Sequence, residues 1–186
     1  LIPDASPDYL SISHAAIAAY QARAALLRKD WAKAASYATE AITLSGATII
    51  SFDNYPYYWQ DADETETIWK FRNNTAPQLL WRDNNGDVFF EPSDKLKNMY
   101  DKDYDIRFFT FFSADGNDTS IVIKYPGGPV APQVNDLKLI RVSEMYLIRA
   151  EAYAESNNLD GAAADYNELR RQRVYDYTDE SFVSTE

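Results

Sequence analysis

Three features of the sequence predict a mainly α protein: two helical hairpins flanking an irregular, aromatic-rich insertion that contains short β-hairpins. Alanine-rich segments with apolar residues at helical spacing occur near both ends. A break of two or three residues divides each into a pair of helices, and between the pairs the composition shifts to Asp, Asn, Pro, Gly and aromatics. The expected organisation is a single unit over 1–186, with a hairpin at 10–46, an insertion at 47–138, a second hairpin at 139–174 and a tail at 175–186. With 46% hydrophobic and 15% aromatic residues in 186, the chain has the material to bury roughly 70% of its unfolded surface.

Ser11 or Ser13 caps the first predicted helix, whose apolar positions are Ile12, Ala16, Ile17, Tyr20, Ala24 and Leu27. A second starts near Asp30-Trp31 and runs to Leu44, with Gly46 where a C-terminal cap belongs. So short a turn forces the two to pack antiparallel, and Ala34, Ala38 and Ala41 let the backbones approach. The design returns further along, with helices expected at 140–156 and 159–173. A constant shift places Ala22 on Ala150, Ala24 on Ala152, Ala34 on Ala162 and Ala35 on Ala163. Trp31 or Leu159 opens the second helix of each pair and Tyr37 or Tyr166 follows, a pattern that resembles a tetratricopeptide-like hairpin. In the insertion, β-prone runs lie at 49–52, 67–71, 88–90, 106–112 and 120–125. The last two are expected to form a β-hairpin closed through Asp115, Gly116 and Asn117, residues that tolerate left-handed backbone. Pro92-Ser93-Asp94 predicts a cap for a short helix over 95–100. Pro126, Gly127, Gly128 and Pro129 form a loop into the second hairpin.

Charge and composition exclude several functions. Lys plus Arg number 18 against 29 Asp plus Glu, a net charge of −11, so phosphate backbones and anionic membrane surfaces are repelled and no nucleic-acid partner is expected. Without cysteine there is no thiolate chemistry, and one histidine cannot build a multi-histidine metal site. No Gly-rich loop precedes a helix, so nothing cradles a nucleotide phosphate. Asp101, Asp103 and Asp105 have the first spacings of a calcium loop, but Ile106 stands where the tight turn needs Gly and Phe112 where the loop ends in Glu. Asp61, Asp63, Glu64 and Glu66 lie in polar sequence and are expected on a solvated face. No catalytic residue, cofactor or metal is therefore assigned.

The stretch Tyr55-Pro56-Tyr57-Tyr58-Trp59-Gln60, with Trp81-Arg82-Asp83-Asn84 and Phe89-Phe90, has the chemistry of a sugar or peptide site: flat apolar rings beside amides and carboxylates. The same rings could equally cover the helical hairpins as core. On the binding reading the contact residues are Tyr57, Trp59 and Trp81, with Asp83 and Asn84 as polar partners.

The segment Leu139-Ile140-Arg141-Val142-Ser143-Glu144-Met145-Tyr146-Leu147-Ile148-Arg149-Ala150-Glu151, followed by Asn158-Leu159-Asp160-Gly161 and Asn167-Glu168-Leu169-Arg170, resembles the SusD/RagB family of outer-membrane nutrient-binding lipoproteins. Ser93-Asp94-Lys95-Leu96, the Asp105-Ile106-Arg107 step and Lys124-Tyr125 agree with that family in order; Val174 after Arg171-Gln172-Arg173 departs from it. The resemblance implies a central fragment of a longer protein, without the lipobox region and the C-terminal block. It further implies non-catalytic binding of an oligosaccharide or peptide at the cell surface, delivery to a SusC-like TonB-dependent transporter, and membrane attachment only through a lipid anchor outside this chain. The alternative is a tetratricopeptide-type scaffold that binds another protein.

Overall fold

Ser13 caps helix α1 (His14–Leu27), its hydroxyl accepting from Ala16 N, and Asp30 caps α2 (Trp31–Ser45) through Lys33 N. Gly46 ends α2 at φ 63°, a left-handed cap that a Cβ would strain. In this computed structural model, which describes residues 2–72, 88, 90–115, 118–128, 131–132 and 134–183, the second pair is α6 (Val142–Glu155) and α7 (Leu159–Arg171), the latter capped by Asn158. His14 and Val142, and Leu27 and Glu155, stand at one constant sequence interval, so the expected repeat is present at the level of helix ends. The helices stack in the order α1, α2, α6, α7.

Their shared core is built mainly from alanine. Ala15, Ala18, Ala19 and Ala22 of α1 face Ala34, Ala38 and Ala41 of α2, and Met145, Ile148 and Ala152 of α6 complete the layer. The large apolar residues whose spacing predicts α1 lie elsewhere: Ile12, Ile17, Tyr20 and Leu27 are exposed. Both sides of α1 are apolar, and close backbone approach selects the alanine side for the interior.

The insertion departs from its expected strands in instructive places. β1 (Thr67–Phe71) forms as predicted, but its partner is β6 (Leu137–Arg141), a segment read only as the approach to a helix. They pair antiparallel, from Thr67 opposite Arg141 to Phe71 opposite Leu137, and Val142 N donates to Glu66 O (2.8 Å). The run 106–112 is not a strand over most of its length. Residues Ile106–Phe111 form helix α5, because the Asp105 carboxylate accepts from Arg107 N (2.9 Å) and nucleates a turn that overrides the β preference of the phenylalanines. The β-hairpin begins only after it, β2 (Phe112–Asp115) against β3 (Asp118–Val122). Ser93 caps the short α4 (Asp94–Lys97) as expected. A single helical turn, α3 (Tyr55–Tyr58), occupies the aromatic stretch; the run at 49–52 forms no strand, and residue 89 of the run 88–90 lies outside the described residues. β4 (Gly127–Gly128) and β5 (Ala131–Pro132) make a minimal third ladder.

Candidate ligand-binding face

The one-turn helix α3 sorts its aromatics by direction. Tyr55 and Tyr58 point inward, whereas Tyr57 is 53% exposed. Trp59, which follows the turn, is 1% exposed and is ringed by Tyr55, Tyr58, Phe111 and Tyr125, with centroids 5.2–6.1 Å away and steep edge-to-face angles. The expected ligand contact through Trp59 therefore meets a buried ring that anchors the turn, while Tyr57 presents its side chain to solvent. Trp81, Asp83 and Asn84 lie outside the described residues.

Polar bonds fix this turn to the far end of the insertion. Asn135 Nδ2 donates to Trp59 O (2.9 Å) and to Asp61 Oδ2 (3.0 Å), and Asn135 Oδ1 accepts from Gly127 N (2.6 Å). Asp61, at φ 57°, also accepts from Asp136 N (2.8 Å) and pairs with Lys138. Beneath lies Glu66, 0% exposed, whose carboxylate accepts from Ile50 N (3.1 Å) and Ser143 Oγ (2.9 Å) and pairs with Arg173 and Arg141. Arg173 also donates to Ile50 O (3.0 Å) and stacks over Tyr55 at 4.2 Å. The acidic run is thus not the solvated face expected of it. Glu66 and Asp105 are buried, Glu64 pairs with Lys70, and Asp63 caps Thr65 N (2.7 Å), because each carboxylate finds a cation or backbone donor that the fold brings to it.

Lys124 is held by ring faces, its Nζ 4.4 Å from the Trp59 centroid and 5.0 Å from that of Phe111. Burial, and secondarily the Arg141 charge, push its ammonium down to about 8. A depressed lysine is released first by the folded chain, so stability should rise by about 1 kcal/mol between pH 7 and pH 9 from this group. Urea midpoints at the two pH values would show it, and Lys124→Met should remove the rise; an identical pH response in both proteins would refute the assignment.

Two grooves lie on the helical face. One of about 410 Å³ is lined by Ile12, Ile17, Tyr20 and Trp69, and one of about 390 Å³ by Leu26, Leu27, Leu147 and Ile148 beside the Arg23–Glu144 pair. Arg23, Glu144 and Glu151 edge the second, but the exposed lining of both is mostly apolar and suits apolar side chains better than sugar hydroxyls. Among the described residues no helix is long and apolar enough to cross a membrane, and no group of three or more His, Cys, Asp or Glu is arranged to hold a metal ion.

Residues 131–182, which carry β6, α6, α7 and most of the tail, match the SusD family model. Over that segment the chain is similar to the SusD family. Solved structures share its fold at low identity. A SusD superfamily protein from Bacteroides thetaiotaomicron superposes with a TM-score of 0.76 at 21% identity, covering 89% of this chain and 42% of that one. A SusD-like carbohydrate binding protein from Bacteroides vulgatus gives 0.75 at 21%, covering 100% and 42%. Surface glycan-binding protein A from Bacteroides uniformis gives 0.74 at 18%, covering 95% and 46%. The chain thus spans less than half the length of these structures. No curated protein matches its sequence. Within the SusD-matched segment, the tail folds back on α7: Asn167 Nδ2 donates to Glu180 O (2.8 Å), and Tyr166 packs on Phe182. That segment also supplies Arg141 and Arg173, the cations of the Glu66 cluster.

Sequence reasoning missed one exposed feature, the tyrosine pair Tyr104 and Tyr175. Asp105 bridges Val174 antiparallel, Ile106 N donates to Arg173 O (3.0 Å) and Tyr175 N donates to Tyr104 O (2.9 Å), so the two side chains become cross-strand neighbours. Nothing local announces a contact between segments so far apart in the chain.

Proposed function

We propose that the chain is part of a non-catalytic surface protein that captures an oligosaccharide at the outer membrane and passes it to a SusC-like TonB-dependent transporter. One observation carries the reading: Tyr57 stands out from a turn whose neighbours are locked in a buried aromatic cluster, a preorganised stacking surface on a fold whose relatives include proteins named for carbohydrate and glycan binding. In this reading Tyr57 stacks on a sugar, Trp59 holds Tyr57 in place, and Trp81, Asp83 and Asn84 extend the contact. Asp61, Glu64 and Glu66, which follow the turn, are engaged in structural pairs, which favours binding over acid/base chemistry. The apolar grooves on α1 and α6 are the surface a protein partner would cover.

The test is affinity electrophoresis of the chain in gels containing amylopectin, xyloglucan, laminarin, galactomannan or arabinoxylan. Retardation by at least one is expected, with no release of reducing ends, and Tyr57→Ala should weaken it about tenfold. Retardation by none, or hydrolysis of any, would overturn the reading.

A further inference from the structure

The tyrosine pair at the junction of the insertion and the second hairpin has features that a purely structural contact does not need. Tyr104 and Tyr175 lie nearly parallel, at 12° with centroids 6.5 Å apart, and Phe52 adjoins Tyr175 at 6.2 Å. Despite this mutual contact the tyrosines remain 49% and 65% exposed. Their positions are rigid. The Asp105 to Val174 bridge sets them side by side, the Asp101 carboxylate accepts from Tyr104 N (3.2 Å), and Arg173, two residues before Tyr175, is clamped to Glu66 in the interior. Ordering two exposed rings costs conformational freedom in the free protein, and that cost is then absent when a ligand binds.

Each of the three rings has an exposed aspartate as its chain neighbour: Asp53 after Phe52, Asp103 before Tyr104 and Asp176 after Tyr175. Flat rings beside carboxylates match the two faces of a pyranose, C–H groups against the ring and hydroxyl donors toward the acid. The acidic neighbours, on a chain of net charge −11, repel uronate and sulfate groups. From this combination we infer that Tyr104, Tyr175 and Phe52 form a second stacking platform, selective for a neutral oligosaccharide. This inference rests on the glycan-binding reading and extends it to a surface away from the Tyr57 turn. A basic peptide would also meet acids and rings, but two nearly parallel, half-exposed rings favour a ring-shaped ligand over a point charge.

The platform is tested with the whole chain labelled with ¹³C-tyrosine, ring signals being assigned through Tyr104→Phe and Tyr175→Phe. The probes are cellohexaose, maltohexaose, mannohexaose, xylohexaose, trigalacturonic acid and hexalysine. At least one neutral hexaose should shift both ring signals, and Tyr104→Leu and Tyr175→Leu, which keep apolar bulk without a flat face, should each weaken that Kd about tenfold. Matched circular dichroism and melting temperature establish that the variants are folded. No shift with any neutral sugar, shifts with trigalacturonate or hexalysine alone, or unchanged Kd in the two Leu variants would overturn the platform. Neutral-sugar binding that survives those variants but is lost in Tyr57→Ala overturns the platform and leaves the proposed function standing.

Discussion

Replacing Glu66 with Ala is expected to remove about 3–5 kcal/mol of stability, the range for breaking a buried ion pair from one side. The side chain holds four partners at once: Ile50 N before the aromatic turn, Ser143 on α6, Arg141 at the end of β6 and Arg173 beyond α7. Its loss leaves the Arg173 guanidinium without its carboxylate in the interior, and that orphaned cation, more than any lost contact, sets the cost. Against a typical total of about 5–15 kcal/mol the variant should be close to unfolded in moderate urea. Glu66→Leu combined with Arg173→Met should be less damaging than Glu66→Ala alone, since both charges then leave together. Urea unfolding followed by circular dichroism gives both numbers. A cost for Glu66→Ala below about 1 kcal/mol would place this carboxylate in the range of exposed pairs and contradict its burial.

Trp59→Ala should cost a comparable 3–5 kcal/mol, the usual penalty for emptying a large aromatic site. The indole touches four rings and supports Lys124 and Arg141 over its face, so truncation opens a void that edge-to-face neighbours cannot close without leaving their rotamers. Trp59→Phe should cost less than half as much because most of the volume remains. The same substitution separates anchoring from stacking: with Trp59→Phe, glycan retention should stay near wild type while Tyr57→Ala loses it. Equal loss in both would return Trp59 to direct ligand contact.

How much of this was legible depended on the range of the interaction. The four long helices are readable because their signals are local: Ser13, Asp30 and Asn158 as caps, Gly46 as a stop, and small residues at the helix contact. Which side of α1 is buried was not, since Ile17 and Tyr20 are more hydrophobic than the alanines that occupy the core. There, closeness of approach outweighs transfer free energy. Strand β6 was absorbed into the predicted helix because its partner β1 lies far back in the chain, and α5 was misread because Asp105, weighed for its calcium-loop spacing, is in fact a helix cap. At the candidate site the aromatic content was evident, but the helical turn that carries it was not. The division of Tyr57 outward and Trp59 inward was not, because it is set by Phe111 and Tyr125 arriving from elsewhere in the insertion.

The antiparallel ladder that places Phe71 opposite Leu137 has a consequence for how such a protein can diversify. Residues 72 to 136 leave β1 and return to β6 at adjacent points on one small ladder, and between those points Asp105, Phe111, Tyr125 and Asn135 pin the segment back onto Val174 and Trp59. Doubling the length of a flexible loop adds only about 0.6 kcal/mol of closure cost, and Ile140, Val142 and Ile68 on the frame side would keep their neighbours throughout. Length and sequence changes between those anchors would retune what the surface recognises while leaving the stacked helices as they are.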